Sequence, residues 1–266
     1  MINAIVTLTT IPERLEFENP MGLQSVIFSL LNQTYKNYKI HFNIPHTNKK
    51  NNREYIIPTW LDDISKKSVL KIFRTEDYGS ITKIYPTIKR IDDPEQMIIT
   101  VDDDLVYESR LIEEHVRLRE INDDKTAIGF AGLNNIGEKF KDARDRFVIS
   151  VNENVRVGIL EHYKSVSYIR KMFESDFDEN YIMQGWADDE LVSAYMGMKE
   201  IKKIVAHTPY IPKHKDQDEW RKYGVVESFP VIRHASNNSS KSGCNLWRND
   251  NVDKLFNNNL SDYLRV

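Results

Sequence analysis

Before its first acidic cluster the chain alternates between short apolar, β-branched runs and stretches whose apolar residues recur at helical spacing. Residues 4–9, 38–44, 69–74 and 97–101 read as strands. Between them, Leu23, Val26, Ile27, Leu30 and Leu31 share one face of a helix over residues 21–32. Ser80 stands where it would cap a second helix, in which Ile81, Ile84, Tyr85 and Ile88 line up. Residues 46–53 are polar, rich in Asn and Lys, and read as an exposed loop, with a short helix to follow before the third strand. Such alternation predicts an α/β fold, a mostly parallel central sheet with helices on both faces. In an open sheet of this kind, ligands bind beyond the carboxyl ends of the strands.

Three polar clusters fall at such ends: residues 9–14, Asp77-Tyr78-Gly79 with Lys83, and Asp102-Asp103-Asp104. The triplet follows the apolar Met97-Ile98-Ile99-Thr100-Val101 directly. Carboxylates crowded together repel one another unless positive charge sits among them. Asp102 and Asp104, two positions apart, would point to one side of an extended chain and could jointly face a hard divalent cation. A solvated acidic loop is the plain alternative.

The second half is less regular. A charged amphipathic helix is expected over residues 111–121 and a strand over 127–133. A polar excursion at 134–144 precedes short strands at 146–150, 156–160 and 166–169. Trp186-Ala187-Asp188-Asp189-Glu190 introduces a helix running to about Met198, with Asp188 or Asp189 placed to cap its first turn. A last strand is expected at 201–206. After Pro209 the chain turns polar, and residues 235–243 are rich in Ser and Asn and read as mobile. With no internal repeat and no obvious linker, residues 1–266 are expected to form one domain with two functional halves.

Residues 9–14 (Thr-Thr-Ile-Pro-Glu-Arg), Asp77-Tyr78-Gly79 with Thr82-Lys83, the triplet Asp102-Asp103-Asp104, and Trp186-Ala187-Asp188-Asp189-Glu190 together resemble the GT-A fold of nucleotide-sugar-dependent glycosyltransferases. The likeness is to small viral and bacterial transferases of the type that includes the chlorovirus capsid-glycan enzymes. It spans the chain up to its polar C-terminal portion, which matches only loosely. The resemblance implies a nucleotide-binding half up to about residue 107 and an acceptor half beyond it. It implies Mn²⁺ or Mg²⁺ held by Asp104 and Asp102, with His234 the favoured third ligand over His207 and His214. Asp102 or Asp103 would also reach the ribose. Thr9, Arg14, Asp77 and Lys83 would bind the donor nucleotide, and Lys241 and Arg248 could follow onto its diphosphate. Asp189, with Asp188 beside it, would be the carboxylate that deprotonates an acceptor hydroxyl. Trp186 and Tyr163 could stack on sugar faces, although a core role is the better reading of either ring. The implied reaction moves a sugar from a nucleoside diphosphate, expected to be UDP, to a hydroxyl of a glycan or glycoside.

Composition narrows the field. A net charge of −3 without a long basic run argues against nucleic acid or an anionic membrane as the main partner. One cysteine, Cys244, excludes an internal disulfide framework and suits a reducing compartment. No apolar run is long enough to span a bilayer and no signal peptide is evident, so a soluble, cytoplasmic protein is expected. A metal-dependent phosphatase or phosphotransferase competes, but the acids follow the fourth predicted strand rather than the first. A non-catalytic sugar-nucleotide or glycan-binding protein competes too. A calcium loop of the EF-hand type lacks its Gly and closing Glu.

Overall fold

The computed structural model describes residues 2–16, 22–134, 147–149, 151–183, 187–210 and 263–264. In chain order the first half comprises β1 (Ala4–Leu8), α1 (Pro12–Glu16), α2 (Leu23–Leu31), β2 (Tyr38–Pro45), α3 (Thr59–Lys67) and β3 (Leu70–Thr75). A 3-10 turn (Gly79–Lys83), α4 (Tyr85–Arg90) and β4 (Met97–Thr100) complete it. Beyond the acidic triplet come α5 (Leu111–Ile121), β5 (Thr126–Gly129), β6 (Ala131–Leu133), β7 (Phe147–Ile149), β8 (Val155–Arg156) and β9 (Ile159–Leu160). A 3-10 turn at His162–Lys164, β10 (Val166–Ile169), α6 (Glu179–Ile182), α7 (Asp188–Met198) and β11 (Lys202–Val205) follow.

Eight strands form the central sheet in the order β3-β2-β1-β4-β10-β5-β11-β8. The first four are mutually parallel. β10 then runs antiparallel to both its neighbours, β4 and β5, before β11 resumes the parallel direction beside β5. A small antiparallel sheet, β7-β6-β9, stands apart. Because successive side chains on a strand face opposite ways, β1 feeds two cores. Ala4, Val6 and Leu8 enter the core beneath α2 and α5, whereas Ile5 enters the core beneath α4 and α7. Helices therefore cover both faces, as the alternation predicts.

Local departures from the sequence reading have physical causes. Residues 127–133 are two strands, β5 and β6, because the chain leaves the large sheet at Phe130 and joins the small one. Residues 156–160 split likewise into β8 and β9 around Val157 and Gly158. Ser80 does not cap the helix that follows it: it lies inside the 3-10 turn, and its hydroxyl accepts a hydrogen bond from the Asp188 N–H at the start of α7, at 3.2 Å. Neither Asp188 nor Asp189 caps α7, whose N-cap is Ala187, since both carboxylates are drawn into side-chain contacts instead. Among the described residues no helix is long and apolar enough to cross a membrane.

The last described residues close against the body. Leu264 is fully buried, and a Cβ on Gly158 would lie 1.9 Å from its carbonyl oxygen; one on Gly197 would lie 2.1 Å from that of Tyr263. Lys203 Nζ donates to the carbonyls of Tyr263 (2.8 Å) and Ser193 (3.0 Å).

Candidate active site

The fold brings five segments to one rim: the ends of β1 and β4, the 3-10 turn at Gly79–Lys83, the segment before β10, and the start of α7. Each contributes charge. Arg14, on α1 just past β1, bonds Asp103 and also reaches Asp104 at 3.2 Å. Lys83, closing the 3-10 turn, bonds Asp102 and lies 2.7 Å from Asp188 Oδ2. The triplet thus does not act as an extended strand. The chain bends at Asp103 and Asp104, so Asp102 turns to Lys83 while its two neighbours turn to Arg14. Tyr107 supports the bend, its hydroxyl accepting from the Asp102 N–H at 2.7 Å and donating to the Tyr163 carbonyl at 3.0 Å.

The second acidic pair is organised by His162. Its Nδ1 is 2.6 Å from Asp188 Oδ2 and 3.0 Å from Asp189 Oδ1, and its backbone N–H donates to that same Asp189 oxygen at 2.8 Å. Across the ring, Nε2 shares a hydrogen bond of 2.8 Å with the Tyr168 hydroxyl. Asp188 is the more enclosed acid, its side chain 7% exposed against 18% for Asp189.

Burial disfavours charge on each of these groups, and their partners decide the outcome. For Lys83, burial is overcome by Asp102, Asp188 and Asp189, which hold the ammonium well above its ordinary range. For His162, burial is overcome by the Tyr168, Asp188 and Asp189 contacts, which favour the imidazolium. Asp188 is buried too, yet Lys83 and His162 on one oxygen hold it below the usual carboxylate range. Asp102 has Lys83 alone against burial and the charges of Asp104, Asp188 and Asp189, and is pushed up to about 6.

Among the described residues, one grouping has ligand atoms close enough together to share a metal. The ligand atoms of His162, Asp188 and Asp189 lie within 4.8 Å of one another. There, however, the imidazole N–H and the Lys83 ammonium already supply the positive charge on Asp188. The triplet adds further oxygen donors, which Arg14 and Lys83 pair in the same way. Taken together, Asp102, Asp103, Asp104, Asp188 and Asp189 outnumber Arg14, Lys83 and His162. An excess of hard oxygen donors suits Mg²⁺ or Mn²⁺.

The other expected site residues are occupied structurally. Asp77 is buried and accepts from the backbone N–H groups of Lys49 (2.9 Å) and Gly79 (2.8 Å), clamping the 46–54 loop to the turn; Gly79 has φ +71° there. The Thr9 hydroxyl donates to the Asn43 carbonyl at 2.8 Å. Tyr163 packs, partly buried, against the core beneath α2 and α5. His207 Nδ1 donates to the Val151 carbonyl at 2.7 Å. Trp186, His214, His234, Lys241, Cys244 and Arg248 lie outside the described residues. His162, Tyr107 and Tyr168 were not among the expected residues; the one signal for His162 was its place just before the buried run Val166–Ile169.

No protein-family model matches the chain, and no curated protein matches it in sequence. Solved structures do match in shape. One is the mannosyltransferase PcManGT from Pyrobaculum calidifontis in complex with GDP-Man and Mn²⁺, with TM-score 0.51 and 12% identity over 98% of this chain and 84% of that one. Another is the 4-diphosphocytidyl-2C-methyl-D-erythritol synthase from Anaerococcus prevotii, with TM-score 0.50 and 14% identity over 82% of this chain and 92% of that one. S. aureus TarS matches at TM-score 0.50 and 11% identity over 96% of this chain and 44% of that one. At such identities the likeness establishes a fold, a GT-A-like α/β sheet shared by sugar-transferring and nucleotidyl-transferring proteins.

Proposed function

We propose that the chain is a metal-dependent glycosyltransferase that moves a sugar from a nucleoside diphosphate, UDP in the first instance, to a hydroxyl of a glycan or glycoside. The observation that carries this reading is the meeting, through Lys83, of an acidic triplet after β4 with a second carboxylate pair at the start of α7. The first suits a metal and a diphosphate, the second suits an acceptor hydroxyl. A fold shared with a mannosyltransferase that binds GDP-Man and Mn²⁺ agrees with it.

In this reading one domain carries both halves. Asp102 and Asp104 hold the divalent cation, with His234 a candidate third ligand; when bound, the cation supplies Lewis acidity toward the leaving diphosphate. Arg14 keeps Asp103 and Asp104 in place from below. Asp77 sets the loop that borders the nucleotide, and Thr9 fixes the adjacent strand end. Asp189 takes the proton of the acceptor hydroxyl as its oxygen attacks the anomeric carbon and the bond from that carbon to the diphosphate breaks.

Nucleotidyl transfer is the second reading, favoured by the shape match to the synthase. One titration separates the two: UDP, GDP, CDP and TDP, and CTP and UTP, each with and without Mn²⁺, on wild type and Asp104→Ala. Tight diphosphate binding that requires both Mn²⁺ and Asp104 supports glycosyl transfer. Binding confined to triphosphates supports the second reading. No metal-dependent nucleotide binding removes both and leaves phosphatase or scaffold roles.

A further inference from the structure

His162 sits where no sequence motif directs attention, and its arrangement exceeds what packing requires. The residue is fully buried, between β9 and β10. A turn closed by the Ser165 N–H donating to its carbonyl at 2.8 Å fixes its backbone, with Ser165 at φ 76°. The fully buried Tyr168 fixes its ring from the Nε2 side. A ring held at both ends in this way presents Nδ1 in one direction only, onto Asp188 and Asp189.

The two acids receive different treatment from that single residue. Asp188 Oδ2 is shared between the ring and Lys83, which ties it into the enclosed floor. Asp189 has one oxygen held twice by His162, through the backbone N–H and through the ring, while more of its side chain stays open. Fixing one oxygen with two donors sets the plane of a carboxylate, and positioning within an ångström governs the rate of a transfer step.

We infer that His162 is the positioning residue that divides the acidic pair, locking Asp188 into the charged floor with Lys83 and orienting Asp189 as the proton acceptor. This rests on the glycosyl-transfer reading above. His162 touches no reacting atom; it acts through Asp189. No other side chain spans from two carboxylates to a phenol with a donor at each end of a rigid ring.

The test uses the full chain as wild type, His162→Asn, His162→Leu, Asp189→Asn and the double variant Asp189→Asn with His162→Leu. Asn keeps a neutral donor near the Nδ1 position and Leu keeps only bulk. Diphosphate release is followed with UDP-glucose, UDP-galactose, UDP-N-acetylglucosamine and GDP-mannose as donor probes and octyl glucoside or water as acceptor. Mn²⁺-dependent UDP binding and thermal unfolding are measured on the same samples. The expected result is a kcat lower by about 10- to 100-fold in His162→Leu, partly restored in His162→Asn, with donor KM and UDP binding near wild type. The double variant should be no slower than Asp189→Asn alone, because a residue that acts through another has nothing left to position. Unchanged kcat in both single variants, multiplicative losses in the double variant, or a collapse of Mn²⁺-dependent UDP binding would each overturn the inference while leaving glycosyl transfer standing. A wild type that releases diphosphate from none of the four donors defeats the underlying reading, and the inference with it.

Discussion

Lys83 Nζ stands 2.7 Å from Asp188 Oδ2, an ion pair in which both side chains are more than nine-tenths enclosed, and the same ammonium bonds Asp102. One cation thus holds together two acidic groups contributed by different halves of the chain. Replacing it removes the ammonium that bridges them and leaves like charges facing one another. Lys83→Met should lower unfolding stability by about 3–5 kcal/mol, the usual cost of orphaning a buried charge. Urea denaturation at neutral pH measures it, and a variant within error of wild type would show that the pair carries little weight.

Asp188 and Asp189 should part company on substitution. Asp189→Asn is expected to keep the fold and metal-dependent nucleotide binding while turnover falls by roughly 10²- to 10⁴-fold. Asp188→Asn leaves Lys83 and His162 each short of a carboxylate in an enclosed site, so its loss should appear first in unfolding stability. Parallel kinetics and denaturation curves distinguish the two patterns. Equal behaviour would contradict the division of labour drawn from their contacts.

Acid should weaken the fold through histidines buried as neutral rings. His115, wholly enclosed and 2.7 Å from the Ser165 hydroxyl, is pushed down to about 3 by burial and by nearby Arg119. His41 is pushed down to about 4 by burial and by Arg90 and Lys39. Below the ordinary imidazole range, about pH 6.5, the unfolded chain takes up these protons and the native chain does not. Stability from this source is therefore complete above about pH 6.5 and declines as pH falls toward 4. The urea midpoint should drop between pH 7 and 5, and His115→Gln should flatten that slope.

The closure of the C-terminal residues depends on two missing side chains. Gly158→Ala and Gly197→Ala each place a methyl about where a carbonyl of Leu264 or Tyr263 lies. Backbone cannot yield as a flexible side chain does, so the contact must open, at about 1–3 kcal/mol. Lys203 then loses its Tyr263 partner. A lowered melting temperature in each variant is the expected result. An unchanged melting temperature in both would indicate that the seat at Gly158 and Gly197 does not hold Tyr263 and Leu264.

Much of the fold was legible because β1 to β4 and their helices are specified by local pattern. Runs such as Met97–Thr100 have few alternatives once their apolar side chains must be buried on both faces. The direction of β10 was not legible. Val-Ser-Tyr-Ile reads the same whether it runs with or against its neighbours, and only pairing with β4 and β5 decides it. The clusters at strand ends were visible too, but not their internal wiring. Arg14 and Lys83 were expected to meet a nucleotide, and in the structure they are engaged by the triplet's own carboxylates. His162 escaped notice because a lone histidine has no spacing to betray it; its importance arises from where β10 and α7 happen to bring Tyr168 and the two acids.

The reversed strand has a consequence for how such a protein can change over time. Gly129 and Val166 are register partners, so β5 and β10 bracket the segment between them side by side, a segment that meets the sheet again at its edge, where β8 pairs with β11. An excursion that begins and ends side by side can lengthen, shorten or be exchanged at little entropic cost, since its ends stay closed by strand pairing whatever lies between. The first half, by contrast, is threaded through four parallel strands joined by crossovers. Under the glycosyl-transfer function proposed above, descendants of such a chain would be free to acquire new acceptors by rewriting the excursion, while the nucleotide they draw on stayed the same.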